Sequence, residues 1–329
     1  MIALARNAMA TRFEILLHGD NPVALRAAGE EALDEIDRLE SQLSLYRPTS
    51  EIGQLNARAA HESVQVSPRV FALLQHAYKL YEETQGAFDI TIAPLVRCWG
   101  FMNGLGRMPS AEELAEARSK IGMSLVQLNP AASTVRFARE GVMLDLGAIG
   151  KGYAIEAATE LLREAGVNSA LLHGGTSTVY GLGHPPEAET WKIAIGNPLD
   201  KTAKTEAPSE TSASHFNSLP LPSIPLCDEA LSVSAIWGRS FQKQGKIFGH
   251  VLDPRTGEPV AGTLLAAVVL PSATETDALS TALLVRGAEA QESFCKSRPR
   301  MRTLLLSQSN GELILSTNPS SRQHIKVSV

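Results

Sequence analysis

Basic clusters, long apolar runs, paired cysteines and aromatic residues are all scarce in this chain of 329 residues. Its 30 Lys and Arg are outnumbered by 35 Asp and Glu, for a net charge of −5, and they form no block able to displace the counterions of a nucleic acid. Glu, Arg or Gly interrupts every Ala- and Leu-rich stretch, so none reaches the roughly 18 to 20 consecutive apolar residues of a bilayer span. No nucleic-acid partner and no membrane span are therefore expected. Cys98, Cys227 and Cys295 are odd in number and form no Cys-x-x-Cys pair, which argues against a disulfide framework and against a thiolate zinc site. Arg6 and Asn7 break the N-terminal apolar stretch, so a cytoplasmic protein is expected. What is present is an ordinary globular balance, 44% hydrophobic and 20% charged, with enough apolar material for a sizeable core.

The patterning mixes strands and helices without regular alternation. Phe13 to Leu17 reads as a strand, and Leu25, Ala28, Ala32, Ile36, Leu39 and Leu43 recur at helical spacing before Pro48. A second helix opens at Ser67-Pro68, a third at Ser110 with Glu113 in capping-box position. Short β-like runs at 135–137 and 142–144 lead into a glycine turn and a helix carrying Ala154, Ala157, Leu161 and Ala165 on one face. Further strands are expected at 170–172, 191–195, 231–236, 247–252 and 264–270, helices at 276–286 and 288–297, and a hairpin around Gly311. Residues from about 199 to 228 are rich in Ser, Thr and Pro and read as a surface insertion. The whole predicts an α+β fold in one domain spanning 1–329.

Four segments carry groups suited to chemistry. In Asp145-Leu-Gly-Ala-Ile-Gly-Lys151-Gly-Tyr153, three glycines lie between strand and helix, where backbone amides and Lys151 favour an anion such as phosphate; a plain structural turn has the same composition. The spacing is neither that of a Walker loop nor Gly-x-Gly-x-x-Gly. Asp277 and Thr281, four apart, share one helix face and offer oxygens to a hard cation such as Mg²⁺; equally, an Asp in a first helical turn is favoured by the macrodipole. His250, before the Asp253-Pro254 turn, has a side chain suited to acid–base work or to a purely structural place. Gly86-Ala87-Phe88-Asp89-Ile90-Thr91 closes a pocket or caps a helix.

Taken in order, Met9-Ala10-Thr11, Ser44-Leu-Tyr46 with Ser50, Glu51 and Asn56, then GAFDIT, DLGAIGKGYA, HVLDPRTGEP and TDALSTALLVRG resemble the ApbE family of FAD:protein FMN transferases over about residues 9 to 287. The resemblance implies a T-fold-related α/β architecture that cleaves FAD and transfers FMN to a Thr or Ser hydroxyl of an acceptor protein carrying a short flavinylation motif. It places a divalent metal, Mg²⁺ with Mn²⁺ or Ca²⁺ as alternatives, on the carbonyl of Ala148, the carboxylate of Asp277 and the hydroxyl of Thr281, with Ser280 beside them. FAD contacts fall on Met9, Tyr46, Ala87, Phe88, Asp89, Asp145, Lys151 and Leu252, and His250 becomes the base. Two departures stand out: Gly174-Gly175 is followed by Thr176-Ser177 in place of an Asp, and Ser232-Val-Ser234-Ala235-Ile236-Trp237 replaces a Thr-Ser-Gly segment. Two other readings stay open: a metal-dependent FAD pyrophosphatase, which would use nearly the same residues with water in place of the acceptor, and a non-catalytic flavin-binding protein, which the two departures favour.

Overall fold

The computed structural model describes the chain apart from residues 103, 105, 197–220, 244–245, 310–311, 319–320 and 326–329. The chain opens with an antiparallel hairpin, β1 (Ile2–Ala8) and β2 (Thr11–Leu17), whose two-residue turn holds Met9 and Ala10 both at positive φ, 49° and 57°. This is the conformation a two-residue hairpin demands and normally fills with Asn-Gly. Helix α1 (Pro22–Leu43) follows, with the Asn21 side chain accepting from the Ala24 amide and proline in its first turn. Its apolar stripe is buried on the hairpin so closely that a Cβ at Gly29 would lie 2.5 Å from Leu4 and 2.8 Å from Leu17.

A helical region comes next: α2 (Glu51–Arg58), α3 (Pro68–Glu83), α4 (Ala93–Cys98) and α5 (Ala111–Arg118), with a small sheet of β3 (Val64–Gln65), β4 (Val126–Asn129) and β5 (Thr134–Phe137). The expected capping box at Ser110 and Glu113 is present in both directions. Residues 142–144, expected as a strand, are not one. The amide of Asn56 takes their place in the ladder: its Nδ2 donates to the Leu144 carbonyl at 3.0 Å and its Oδ1 accepts from the Leu144 N–H at 2.7 Å. The next amide, of Asp145, donates to Ile90 O at 2.7 Å.

The second half supplies α6 (Gly150–Glu164), β6 (Ala170–Gly174), β7 (Thr178–Leu182), β8 (Trp191–Ile193), β9 (Ile224–Leu226), β10 (Glu229–Ala235), β11 (Ser240–Lys243), β12 (Lys246–Gly249), β13 (Thr263–Leu270), α7 (Ala273–Arg286), α8 (Ala288–Ser297), β14 (Arg302–Ser309), β15 (Glu312–Asn318) and β16 (Ser321–Ile325). Nine strands form one antiparallel sheet in the order β1-β2-β6-β7-β10-β13-β14-β15-β16. On one face α1 packs on α6 and α6 on α7, while α7 lies across β10 and β13. The opposite face gathers Val179, Leu231, Leu265, Ala267, Val269, Leu304 and Leu306 under Trp191 and Leu226. Strand β13 is buried at all eight positions because both faces are covered.

Several boundaries differ from the sequence reading. On α6 the buried residues include Ala154, Ile155, Ala158 and Leu162, while Ala165 is an exposed cap. Of the expected insertion, 199–220 lies outside the described residues, and 224–226 forms β9, paired with β8. The strand expected at 247–252 ends at Gly249, so His250 stands just past it, and Leu252 makes only an isolated bridge to Pro259. Gly311, at the expected hairpin turn, is outside the described residues, although β14 and β15 do pair.

Candidate active site

The alternation of β10 places Ser232 and Ser234 on the face toward α7, and Thr178 of β7 is the direct cross-strand partner of Ser232. From above, α7 presents Asp277, Ser280 and Thr281 at helical spacing. Helix α7 begins a turn earlier than Thr276, capped by Ser272, so Asp277 lies beyond the first turn and the macrodipole does not account for it. It is 4% exposed. Its Oδ1 accepts from Thr178 Oγ1 at 3.4 Å and Ser232 Oγ at 3.3 Å, and its Oδ2 from the Gly152 amide at 3.0 Å. Ser234 Oγ lies 2.8 Å from Ser280 Oγ and 3.2 Å from Thr281 Oγ1. One carboxylate thus sits among five hydroxyls at the seam between sheet and helix.

Gly152 is what lets α6 reach that seam: a Cβ there would fall 2.2 Å from the Ala273 carbonyl and 2.7 Å from Asp277 Cβ. The same turn delivers Lys151, whose Nζ donates to Gly147 O at 3.2 Å and stands 3.9 Å from Asp277 Oδ2. Asp145, at the start of the turn, accepts from the Gly147 amide at 2.8 Å. Burial pushes the Asp145 carboxyl up, opposed by that hydrogen bond and by the charges of Lys151 and Arg239. Ala148 lies in the turn between Gly147 and α6, packed against the main core.

His250 is half-buried. Its Nδ1 lies 3.2 Å from the Arg239 carbonyl, which also accepts the His250 amide at 3.0 Å. With Nδ1–H donating there, Nε2 is left with its lone pair. Burial lowers the imidazole pKa, and the charges of Arg239 and Lys151 lower it further against the backbone hydrogen bond. The ring meets Phe101 edge-on, and Phe101 belongs with Trp99, Phe241 and Phe248 to an aromatic cluster that anchors the β11–β12 hairpin.

The other expected residues are placed more variously. Ala87, Phe88 and Asp89 are buried. Asp89 Oδ1 accepts from the Thr91 amide at 2.8 Å and hydroxyl at 2.6 Å, and burial pushes this carboxyl up to about 6. The segment adjoins the site because Ile90 holds the Asp145 amide. Met9 is half-buried in the strained turn, against the main core. Tyr46 is 60% exposed, on the surface between α1 and α2. The side chain of Leu252 is buried with Leu95 and Trp99, which leaves a ligand only its main chain. The sequence carries no local signal for the roles of Thr178 and Arg239, and only a weak one for Gly152, a third glycine after Lys151; the other two depend on strand pairing across the chain.

Among the described residues no group of three or more His, Cys, Asp or Glu is placed to hold a metal. The donor set is one carboxylate with hydroxyl and carbonyl oxygens, which suits a hard cation that keeps waters and phosphate in its shell. An antiparallel sheet backed by three helices brings a buried carboxylate, a lysine and a glycine turn together at one seam, a set of groups whose chemistry suits a phosphate-bearing ligand and a hard cation. The family model described as ApbE family matches residues 9–305, and the chain belongs to that family. A relative from Haemophilus influenzae named FAD:protein FMN transferase is 26% identical over 321 residues, 94% of this chain and 88% of its own length. The crystal structure of the flavinyl transferase ApbE of Pseudomonas stutzeri superposes with a TM-score of 0.79 at 25% identity, covering 96% of this chain and 94% of that one. The ApbE protein of Thermotoga maritima shares the fold, with a TM-score of 0.78 at 24% identity over 98% and 96%. No helix among the described residues is long and apolar enough to cross a membrane.

Proposed function

We propose that this chain is a FAD:protein FMN transferase, joining FMN through a phosphoester to a Thr or Ser hydroxyl of an acceptor protein and releasing AMP. The observation that carries the reading is the buried Asp277 carboxylate, ringed by hydroxyls and faced by Lys151, in a chain of the ApbE family. Asp277, Thr281, Ser280 and the Ala148 carbonyl would hold Mg²⁺, Mn²⁺ or Ca²⁺. When bound, the ion supplies positive charge to the diphosphate as negative charge grows on the leaving phosphate.

The chain's own residues position the reactants. The Lys151 ammonium binds diphosphate oxygens, the Gly150 and Gly152 amides beside it being held by Leu146 O and Asp277, while Met9, Tyr46, Asp89, Asp145 and the main chain at Ala87, Phe88 and Leu252 line the rest of the FAD path. His250 Nε2 takes the proton of the acceptor hydroxyl, whose oxygen attacks the FMN-side phosphorus. The bond from that phosphorus to the bridging oxygen breaks, and AMP leaves with the electron pair. Phosphoryl transfer of this kind needs mainly alignment and charge, and this inventory supplies both. We further propose that residues 1–329 act as one domain, since strands from both ends of the chain share the main sheet.

The test is incubation of the purified protein with FAD and Mg²⁺, with and without a peptide carrying a Thr flavinylation motif, resolved by mass spectrometry. A peptide heavier by one FMN is the expected product. FMN plus AMP with no modified peptide would make the protein a pyrophosphatase, and unchanged bound FAD a flavin-binding protein.

A further inference from the structure

Among the described residues the hydrogen-bond donors to Asp277 are all neutral: the Gly152 amide and the hydroxyls of Thr178 and Ser232. The carboxylate is nonetheless almost wholly buried, and a buried charge needs a counter-charge. Among the described residues, the cation that faces it is Lys151, 3.9 Å from Oδ2. The other partner of that ammonium is the Gly147 carbonyl, next in the chain to the Ala148 carbonyl assigned to the metal. The lysine head therefore bridges the glycine turn and Asp277, the two sides between which a divalent ion would have to sit.

We propose that the Lys151 ammonium is a placeholder for the divalent cation, neutralising Asp277 until metal and FAD enter and leaving it when they do. This rests on the metal-dependent transferase reading. An ammonium and a divalent ion have no reason to share one carboxylate oxygen, and the flexible four-carbon stem allows the head to move. Its new partner is the substrate diphosphate. Lys151 then serves twice, as counter-ion before binding and as phosphate ligand after it. Metal and FAD help each other bind because FAD rewards the displaced ammonium, a coupling that is reciprocal by thermodynamic necessity.

The experiment is calorimetric titration of the full chain with Mn²⁺ alone, without flavin. Lys151→Met should bind Mn²⁺ about tenfold tighter than the unaltered chain. Arg239→Gln removes a cation that acts on Asp145 and His250 and donates to the Phe101 carbonyl rather than to Asp277, and should change affinity less than about twofold. Unchanged or weaker binding in Lys151→Met, or an equal gain in Arg239→Gln, overturns the placeholder. Asp277→Asn separates the two levels of the argument: if it leaves Mn²⁺ binding intact, the metal assignment itself falls. If it abolishes binding while Lys151→Met changes nothing, only the placeholder falls. A second readout needs no variant. Mn²⁺ should raise acetylation of Lys151 by an amine-reactive ester severalfold, read by peptide mass spectrometry, with other lysines unmoved; no change or protection overturns the inference.

Discussion

Asp89 and His250 are both displaced from their ordinary pKa values by burial, with opposite practical effects. The Asp89 carboxyl rises from 3.8 to about 6. Between those values the folded chain holds a proton that the unfolded chain has lost, so stability declines as pH rises through this window and stays lower above it. Asp89→Asn keeps an acceptor for Thr91 and removes the charge. It should stabilise the protein at pH 8 by roughly 3 kcal/mol and far less at pH 4, as read by urea denaturation at the two pH values. For His250, burial and two neighbouring cations favour the neutral base. The acid limb of kcat/KM should therefore lie below pH 6.5, and a limb above it would remove His250 from the role of base. His250→Ala should leave FAD affinity intact and lower transfer by about 10² to 10⁴; lost affinity with normal turnover of bound FAD would make it a binding residue instead.

At the scale of elements, helix ends were the most legible part of the sequence, because a cap and its partner lie three residues apart. Ser110 with Glu113 caps α5, and Ser67-Pro68 opens α3. The stretch 142–144 did not, because the group that satisfies Leu144 is a side-chain amide 88 residues away. No local pattern encodes that. Asn56→Ala should strand both backbone groups of Leu144 and cost about 1 to 3 kcal/mol, measured by denaturant titration; an unchanged midpoint would mean that water replaces the amide. The seam of the site was half legible. Asp277 and Thr281 share a face by spacing alone, but Thr178 and Ser232 reach them only through the pairing of β7 with β10. Gly152→Ala should drive α6 away from α7, since backbone at 2.2 Å cannot yield as a side-chain tip does. Loss of FAD cleavage with a lower Tm is expected, and full activity would show that the two helices need not touch.

The whole molecule ties its ends together. Strands from the first 17 residues and from beyond residue 300 belong to one sheet, and β2 finds its neighbour β6 only after the entire helical region has been made. Thermal unfolding followed by far-ultraviolet dichroism and by loss of FAD binding should give coincident single transitions. Two separated steps would show that the helical region between β2 and β6 melts by itself.

That same connectivity governs when activity can appear during synthesis and folding. Contacts between distant parts of a chain form late, and the Asp277 seam needs β7, β10, α6 and α7 together. On the proposed assignment of that seam, a nascent or partly collapsed chain lacks the means to cut FAD. Flavin meets this chemistry only in molecules that have finished folding.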